Sequence, residues 1–70
     1  MKIIHINVNG LIAKRYKMMQ FVLENKPDIV AVAETHLKGK EGIEIRGYEW
    51  IGENFEQALR GSRGVGFLIR

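Results

Sequence analysis

Ile3-Ile4-His5-Ile6-Asn7-Val8-Asn9-Gly10-Leu11 is an apolar, strand-like run that stops at two asparagines and a glycine. Ile29-Val30-Ala31-Val32-Ala33 stops in the same way at Glu34-Thr35-His36. The first run, over residues 2–8, places Ile4, Ile6 and Val8 on one face and Ile3, His5 and Asn7 on the other, because strand side chains alternate. The even face is wholly apolar and is expected to lie against a core. The second run, over residues 28–34, is apolar on both faces, as an interior strand of a parallel sheet requires.

Residues 12–26 between them read as a helix. Lys17, Gln20 and Glu24 form a narrow polar face, while Met18, Met19, Phe21, Val22 and Leu23 take most of the remaining circumference. Such a wide apolar arc predicts more than one covering neighbour. Pro27 ends the helix by lacking a backbone N–H and disfavouring helical geometry at Lys26. Strand, helix and strand in this order make a right-handed βαβ unit.

Residues 38–42 read as a polar loop. Residues 43–51 alternate as a half-buried strand broken at Gly47. Residues 53–61 fit a loop or a helical turn, and residues 64–70 a final strand. The expected class is α/β with the order β-α-β-β-β, in one partial domain over residues 1–70. Because the last residue falls inside a strand pattern, the chain is expected to be a piece of a longer domain.

The chain has 70 residues, 46% of them apolar, and no cysteine. Neither disulfides nor a cysteine-bound zinc can brace it. An unbraced core this small supplies only about 3–5 kcal/mol, so a homodimer partner or the remaining part of a domain is expected. A net charge of +3 permits a polyanionic partner without demanding one. The apolar runs fall short of the roughly 20 residues a bilayer span needs, and the start lacks the features of a signal peptide. These features point to a soluble protein of a reducing intracellular compartment, nucleus or cytoplasm, with no membrane partner.

Parallel strands of a βαβ unit end on one edge of the sheet, where α/β proteins build their sites. Asn7, Asn9 and Glu34 are expected to converge there. One carboxylate with two amide oxygens is a hard-oxygen set suited to Mg²⁺, which takes one or two carboxylates and keeps several waters. Asn9-Gly10 is equally a turn pair and Asn7 a loop cap. Spacing alone slightly favours the turn.

Asn7-Val8-Asn9-Gly10-Leu11, Lys26-Pro27-Asp28-Ile29-Val30 and Ala33-Glu34-Thr35-His36-Leu37 resemble the first two motifs of the endonuclease/exonuclease/phosphatase superfamily, the AP-endonuclease-like proteins. Gly47-Tyr48 and the run from Arg63 to Arg70 are similar to its next two segments, in order. The Glu-Thr-His-Leu form looks most like the endonuclease domain of LINE-type non-LTR retrotransposons. The resemblance implies the N-terminal portion of a four-layered, DNase I-like α/β sandwich, with one helix packed on a mixed sheet. It implies a Mg²⁺-dependent (alternatively Mn²⁺-dependent) endonuclease with DNA as partner.

On this resemblance Glu34 is the metal-binding Glu, Asn7 the catalytic Asn that supports metal and phosphate, and Asn9 a further, neutral metal ligand. Relatives usually carry Gln where Ala33 stands here, so one hydrogen bond that would tune Glu34 is missing. The family's catalytic His, general-base Asp, Asp-x-Asn pair and Tyr match nothing in these residues. The chain by itself is therefore expected to be inactive or nearly so. The alternative is a free-standing small α/β module that binds nucleic acid or protein without catalysis, for instance as a dimer.

His36, Lys38 and Arg63 are the candidate nucleic-acid contacts, His36 as a loop residue near the substrate. Arg60, Arg70 and Lys40 have the charge for phosphate contacts, although solvated surface is the more frequent role of scattered basic residues. His5 is expected to be packed or hydrogen-bonded. Trp50 and Tyr48 suit base stacking, with core packing the stronger expectation. Gly61 to Gly66 superficially resembles a phosphate loop but lacks the Lys-Ser/Thr ending and precedes a strand, which excludes that reading.

Overall fold

The computed structural model describes residues 1–53 and 64–70. Its elements are β1 (Ile3–Asn7), α1 (Leu11–Asn25), β2 (Ile29–Ala33), β3 (Glu49–Glu53) and β4 (Val65–Ile69). They form a four-stranded sheet in the order β1-β2-β4-β3. β1 and β2 are parallel, while β4 is antiparallel to both β2 and β3. The expected β-α-β-β-β order and mixed sheet are what the structure shows.

Isoleucine and valine give β1 and β2 their extended preference, since branched side chains fit a pleated surface. α1 stops where Lys26 turns left-handed, at φ 49, and returns its N–H to the Val22 carbonyl at 2.8 Å. Pro27 follows and cannot continue the helix.

The core is the even face of the sheet. Val30, Val32 and Leu68 meet Leu11, Met18 and Val22 of α1, and Leu37, Ile43 and Ile45 join the same cluster. Each fully buried aliphatic side chain here is worth roughly 1.5–3 kcal/mol. Trp50 packs against this cluster with its ring over Gly52, whose added Cβ would lie 2.6 Å from Nε1, and over Gly66. Tyr48 also packs on the core and donates its hydroxyl to the Pro27 carbonyl at 2.5 Å. Both aromatics thus have the packing role.

Three expectations need correction. The strand expected over residues 43–51 begins only at Glu49. Ile43 and Ile45 alternate inward from a segment outside the sheet, which a turn then closes: Tyr48 N–H donates to the Ile45 carbonyl at 2.9 Å, and Gly47 has φ 88. The helix buries only Leu11, Met18 and Val22, leaving Ile12, Tyr16, Phe21 and Leu23 exposed. A single neighbouring layer covers one stripe of a helix, not a wide arc. His5 is exposed, because the odd face of the sheet carries no layer among the described residues. Ile3 is 62% exposed there and Phe67 45%. The segment expected as loop or helical turn lies, from residue 54 on, outside the described residues.

Candidate active site

The loops that leave β1 and β2 are fastened together by backbone hydrogen bonds. Val8 N–H donates to the Ala33 carbonyl at 3.1 Å, Gly10 to Glu34 at 2.9 Å and Leu11 to Thr35 at 2.8 Å. These bonds carry the parallel β1–β2 pairing past the strand ends and start α1 from the same point. Thr35 N–H in turn donates to the Gly64 carbonyl at 3.1 Å, which ties in the start of β4. The site edge is therefore held by backbone rather than by loose loop contacts.

Its residues take up unusual conformations. Asn9, Glu34 and His36 have φ of 46, 54 and 56. A non-glycine residue in the left-handed region costs roughly 1–2 kcal/mol, and such residues concentrate at functional sites. Lys26, at φ 49, is the helix-capping exception at the opposite edge.

On this frame Asn7 Nδ2 donates a hydrogen bond to Glu34 Oε2. The two residues are 27 apart in sequence and meet because Asn7 pairs with Ala33 in register. Both are exposed, so water and solutes reach the carboxylate. Asn9 is exposed on the connecting loop, next to the Gly10–Glu34 bond. Asn9 is the bend between β1 and α1, and Gly10 after it is bonded to the Glu34 carbonyl.

The donors at this edge are oxygens of the hard kind. Among the described residues there is no group of three or more His, Cys, Asp or Glu that could hold a metal. The set is one carboxylate plus amide oxygens, open to water. A single carboxylate open to water is the kind of donor that a largely hydrated divalent cation takes.

Thr35 is a residue that sequence reading missed. It is completely buried, its Oγ1 accepts the Leu37 N–H at 3.4 Å, and a Cβ added to Gly64 would collide with that same oxygen. Gly64 also has φ 123, so two independent constraints demand glycine there. Thr35 and Gly64 brace the Glu34 turn from below. A threonine between Glu34 and His36 carries no burial signal in sequence; only the ladder bonds on either side reveal it.

The other candidates are placed unevenly. His36 is half-buried and Lys38 exposed on the segment following Glu34. The backbone N–H of Lys38 donates to Glu41 Oε1 at 2.7 Å. Lys40 is exposed. Arg60 and Arg63 lie outside the described residues. Arg70 sits at the opposite end of β2, where its N–H reaches the Asp28 carbonyl at 2.9 Å and its Nη1 the Lys26 carbonyl at 3.2 Å. That position removes it from this edge.

No helix among the described residues is long and apolar enough to cross a membrane. No family model matches the chain, and no curated protein matches it in sequence. Solved structures do. An AP endonuclease from Archaeoglobus fulgidus superposes with TM-score 0.80 at 26% identity, over 99% of this chain and 27% of that one. The AP endonuclease LMAP from Leishmania major superposes with TM-score 0.72 at 23% identity, over 99% of this chain and 23% of that one. The chain thus spans about a quarter of the length of these structures. The mixed four-stranded sheet and the one helix of the described residues match the N-terminal part of the DNase I-like fold of an AP endonuclease.

Proposed function

We propose that the chain is the N-terminal part of a divalent-metal-dependent endonuclease that cleaves phosphodiester bonds in DNA. The observation that carries this reading is the Asn7–Glu34 hydrogen bond at the C-terminal edge of the parallel strands, on a fold similar to AP endonucleases. Glu34 and Asn9 would hold Mg²⁺, or Mn²⁺ in its place. When bound, the ion supplies positive charge to the scissile phosphate. Asn7 fixes the orientation of the Glu34 carboxylate by donating to Oε2 and stands next to the phosphate position. The left-handed turn at Glu34 projects the carboxylate outward from a buried Thr35.

His36 and Lys38 follow on the same segment and are the proposed phosphate contacts, with Arg63 from beyond the described residues. The groups that deprotonate the attacking water would come from the remainder of the domain, as would a layer over the exposed odd face of the sheet. Glu34-Thr35-His36-Leu37 supports a relation to LINE-type retrotransposon endonucleases within this class. A lipid or nucleotide phosphodiesterase of the same superfamily would share the metal Glu.

A nicking assay in Mg²⁺ tests the reading with the 70-residue chain, with the chain joined to a C-terminal remainder, and with Glu34→Gln in the joined form. The joined protein should cleave, the variant should lose at least about a hundredfold, and the chain alone should be nearly inert. Robust cleavage by the chain alone, or an active Glu34→Gln variant, would overturn it.

A further inference from the structure

Asparagine is a labile residue, most of all before glycine, where no side chain shields the next backbone nitrogen from the asparagine's own amide carbon. Of the chain's asparagines, Asn7, Asn9, Asn25 and Asn54, only Asn9 precedes a glycine. The structure separates the described ones further. Asn7 Nδ2 donates to Glu34 Oε2, and the N–H of Val8 after it is held by the Ala33 carbonyl at 3.1 Å. Asn25 Nδ2 donates to the Phe21 carbonyl at 2.8 Å, and the N–H of Lys26 after it is held by the Val22 carbonyl at 2.8 Å. Asn9 is exposed, and its side chain makes no hydrogen bond with a described residue. A Cβ built on Gly10 would meet nothing within 4 Å, so no described residue packs over the Asn9–Gly10 bond on that side.

The restraint on Asn9 is the backbone bond beside it. Gly10 N–H is bound to the Glu34 carbonyl at 2.9 Å, which engages its proton and fixes Gly10 at φ 104. Loop bonds of this kind open locally at a lower cost than global unfolding, and each opening frees the nitrogen.

We propose that Asn9-Gly10 is a site of spontaneous deamidation, gated by the Gly10–Glu34 bond. When the bond opens, the Gly10 nitrogen gives up its proton to solvent and attacks Asn9 Cγ. The Cγ–Nδ2 bond breaks, Nδ2 takes up a proton and leaves as ammonia, and a cyclic imide closes. Water then adds to either imide carbonyl. Cleavage at Cγ leaves aspartate at position 9, whereas cleavage at the main-chain carbonyl carbon leaves isoaspartate, with the chain running through Cβ and Cγ. A water is consumed and an ammonia released, with no change of oxidation state.

The two products act oppositely on this edge. Aspartate keeps the backbone and puts a carboxylate where a neutral amide stood. This consequence rests on the proposed function, in which Asn9 and Glu34 hold a divalent cation: two carboxylates bind a hard cation more tightly than one. Isoaspartate lengthens the backbone between β1 and α1, which displaces the N–H groups of Gly10 and Leu11 from the Glu34 and Thr35 carbonyls that hold them.

The test incubates the chain beside a synthetic peptide of residues 5–13, which lacks the Glu34 carbonyl, at mildly alkaline pH. Peptide mapping by mass spectrometry locates each amide-to-acid conversion, and an isoaspartyl methyltransferase scores the isoaspartate fraction. Asn9 should convert to both products while Asn7 and Asn25 remain amides. Conversion in the chain should be roughly ten- to a hundredfold slower than in the peptide, since it draws only on the opened state. Conversion of Asn7 or Asn25 as fast as Asn9, no conversion at Asn9, or equal rates in chain and peptide would overturn the proposal. The Asn9→Asp variant separates it from the proposed function. Added Mg²⁺ should raise the urea midpoint of this variant more than that of the parent. An equal response would overturn the cation consequence and the role of Asn9 as a ligand, while the mass measurements decide the deamidation by themselves.

Discussion

Replacing Glu34 separates what its side chain does from what its backbone endures. Glu34 holds φ at 54 and accepts one hydrogen bond from Asn7. Glu34→Ala removes that bond and keeps the strained backbone. For an exposed bond the loss is about 0.5–1 kcal/mol. Glu34→Gly removes the same bond but also relieves a left-handed strain of roughly 1–2 kcal/mol, offset in part by the extra entropy glycine gives the unfolded chain, about 0.5–1 kcal/mol. The glycine variant should therefore be about 1 kcal/mol more stable than the alanine variant and close to the parent. Urea unfolding followed by Trp50, the only tryptophan, reads this directly. With a slope of about 1 kcal/mol/M for a chain this small, the two midpoints should differ by roughly 1 M. Both variants should be equally inactive in the joined protein. Coincident midpoints, or alanine above glycine, would refute the claim that the Glu34 backbone is held in an unfavourable region for the sake of its side chain.

Two further outcomes are expected. Asn7→Asp replaces a donor to Glu34 with a second carboxylate, so the metal-free chain should lose about 1 kcal/mol. Added Mg²⁺ should restore it by mass action, and an identical midpoint shift with Mg²⁺ in parent and variant would contradict a cation at this pair. Gly66→Ala introduces a Cβ into the ring of Trp50. That overpacking should destabilise by about 1–3 kcal/mol and shift Trp50 emission to the red; an unchanged spectrum would show that the ring does not rest on Gly66.

The fold was largely legible because its signals are local. Alternation in β1, the two-sided apolar run of β2 and the stop at Pro27 each depend on a few neighbouring residues. The failure at residues 43–48 has the same root. Ile43 and Ile45 show the alternation of a strand, but that alternation records burial, not hydrogen bonding, and an extended segment lying on the core produces it equally. Gly47, which the alternation places as a break within a strand, instead ends the turn that precedes one. The wide apolar arc of α1 is a true feature of its sequence, yet Phe21 and Leu23 face solvent because covering layers are a property of the assembled domain rather than of the helix.

The site shows the same division more sharply. Asn7 and Glu34 were legible together because parallel strands must end on one edge, a rule that needs only topology. Thr35 was not, since its burial depends on a strand more than 25 residues away that reaches it through the Gly64 carbonyl. The pair proposed to carry the chemistry is thus placed by the βαβ unit, whereas the bracing beneath it comes from Gly64 at the start of β4. If Thr35 and Gly64 brace the turn as their contacts indicate, βαβ residues alone would bring Asn7 and Glu34 near one another without fixing the carboxylate. The fourth strand, rather than any further charged residue, is then what converts a pair of strand ends into a defined site.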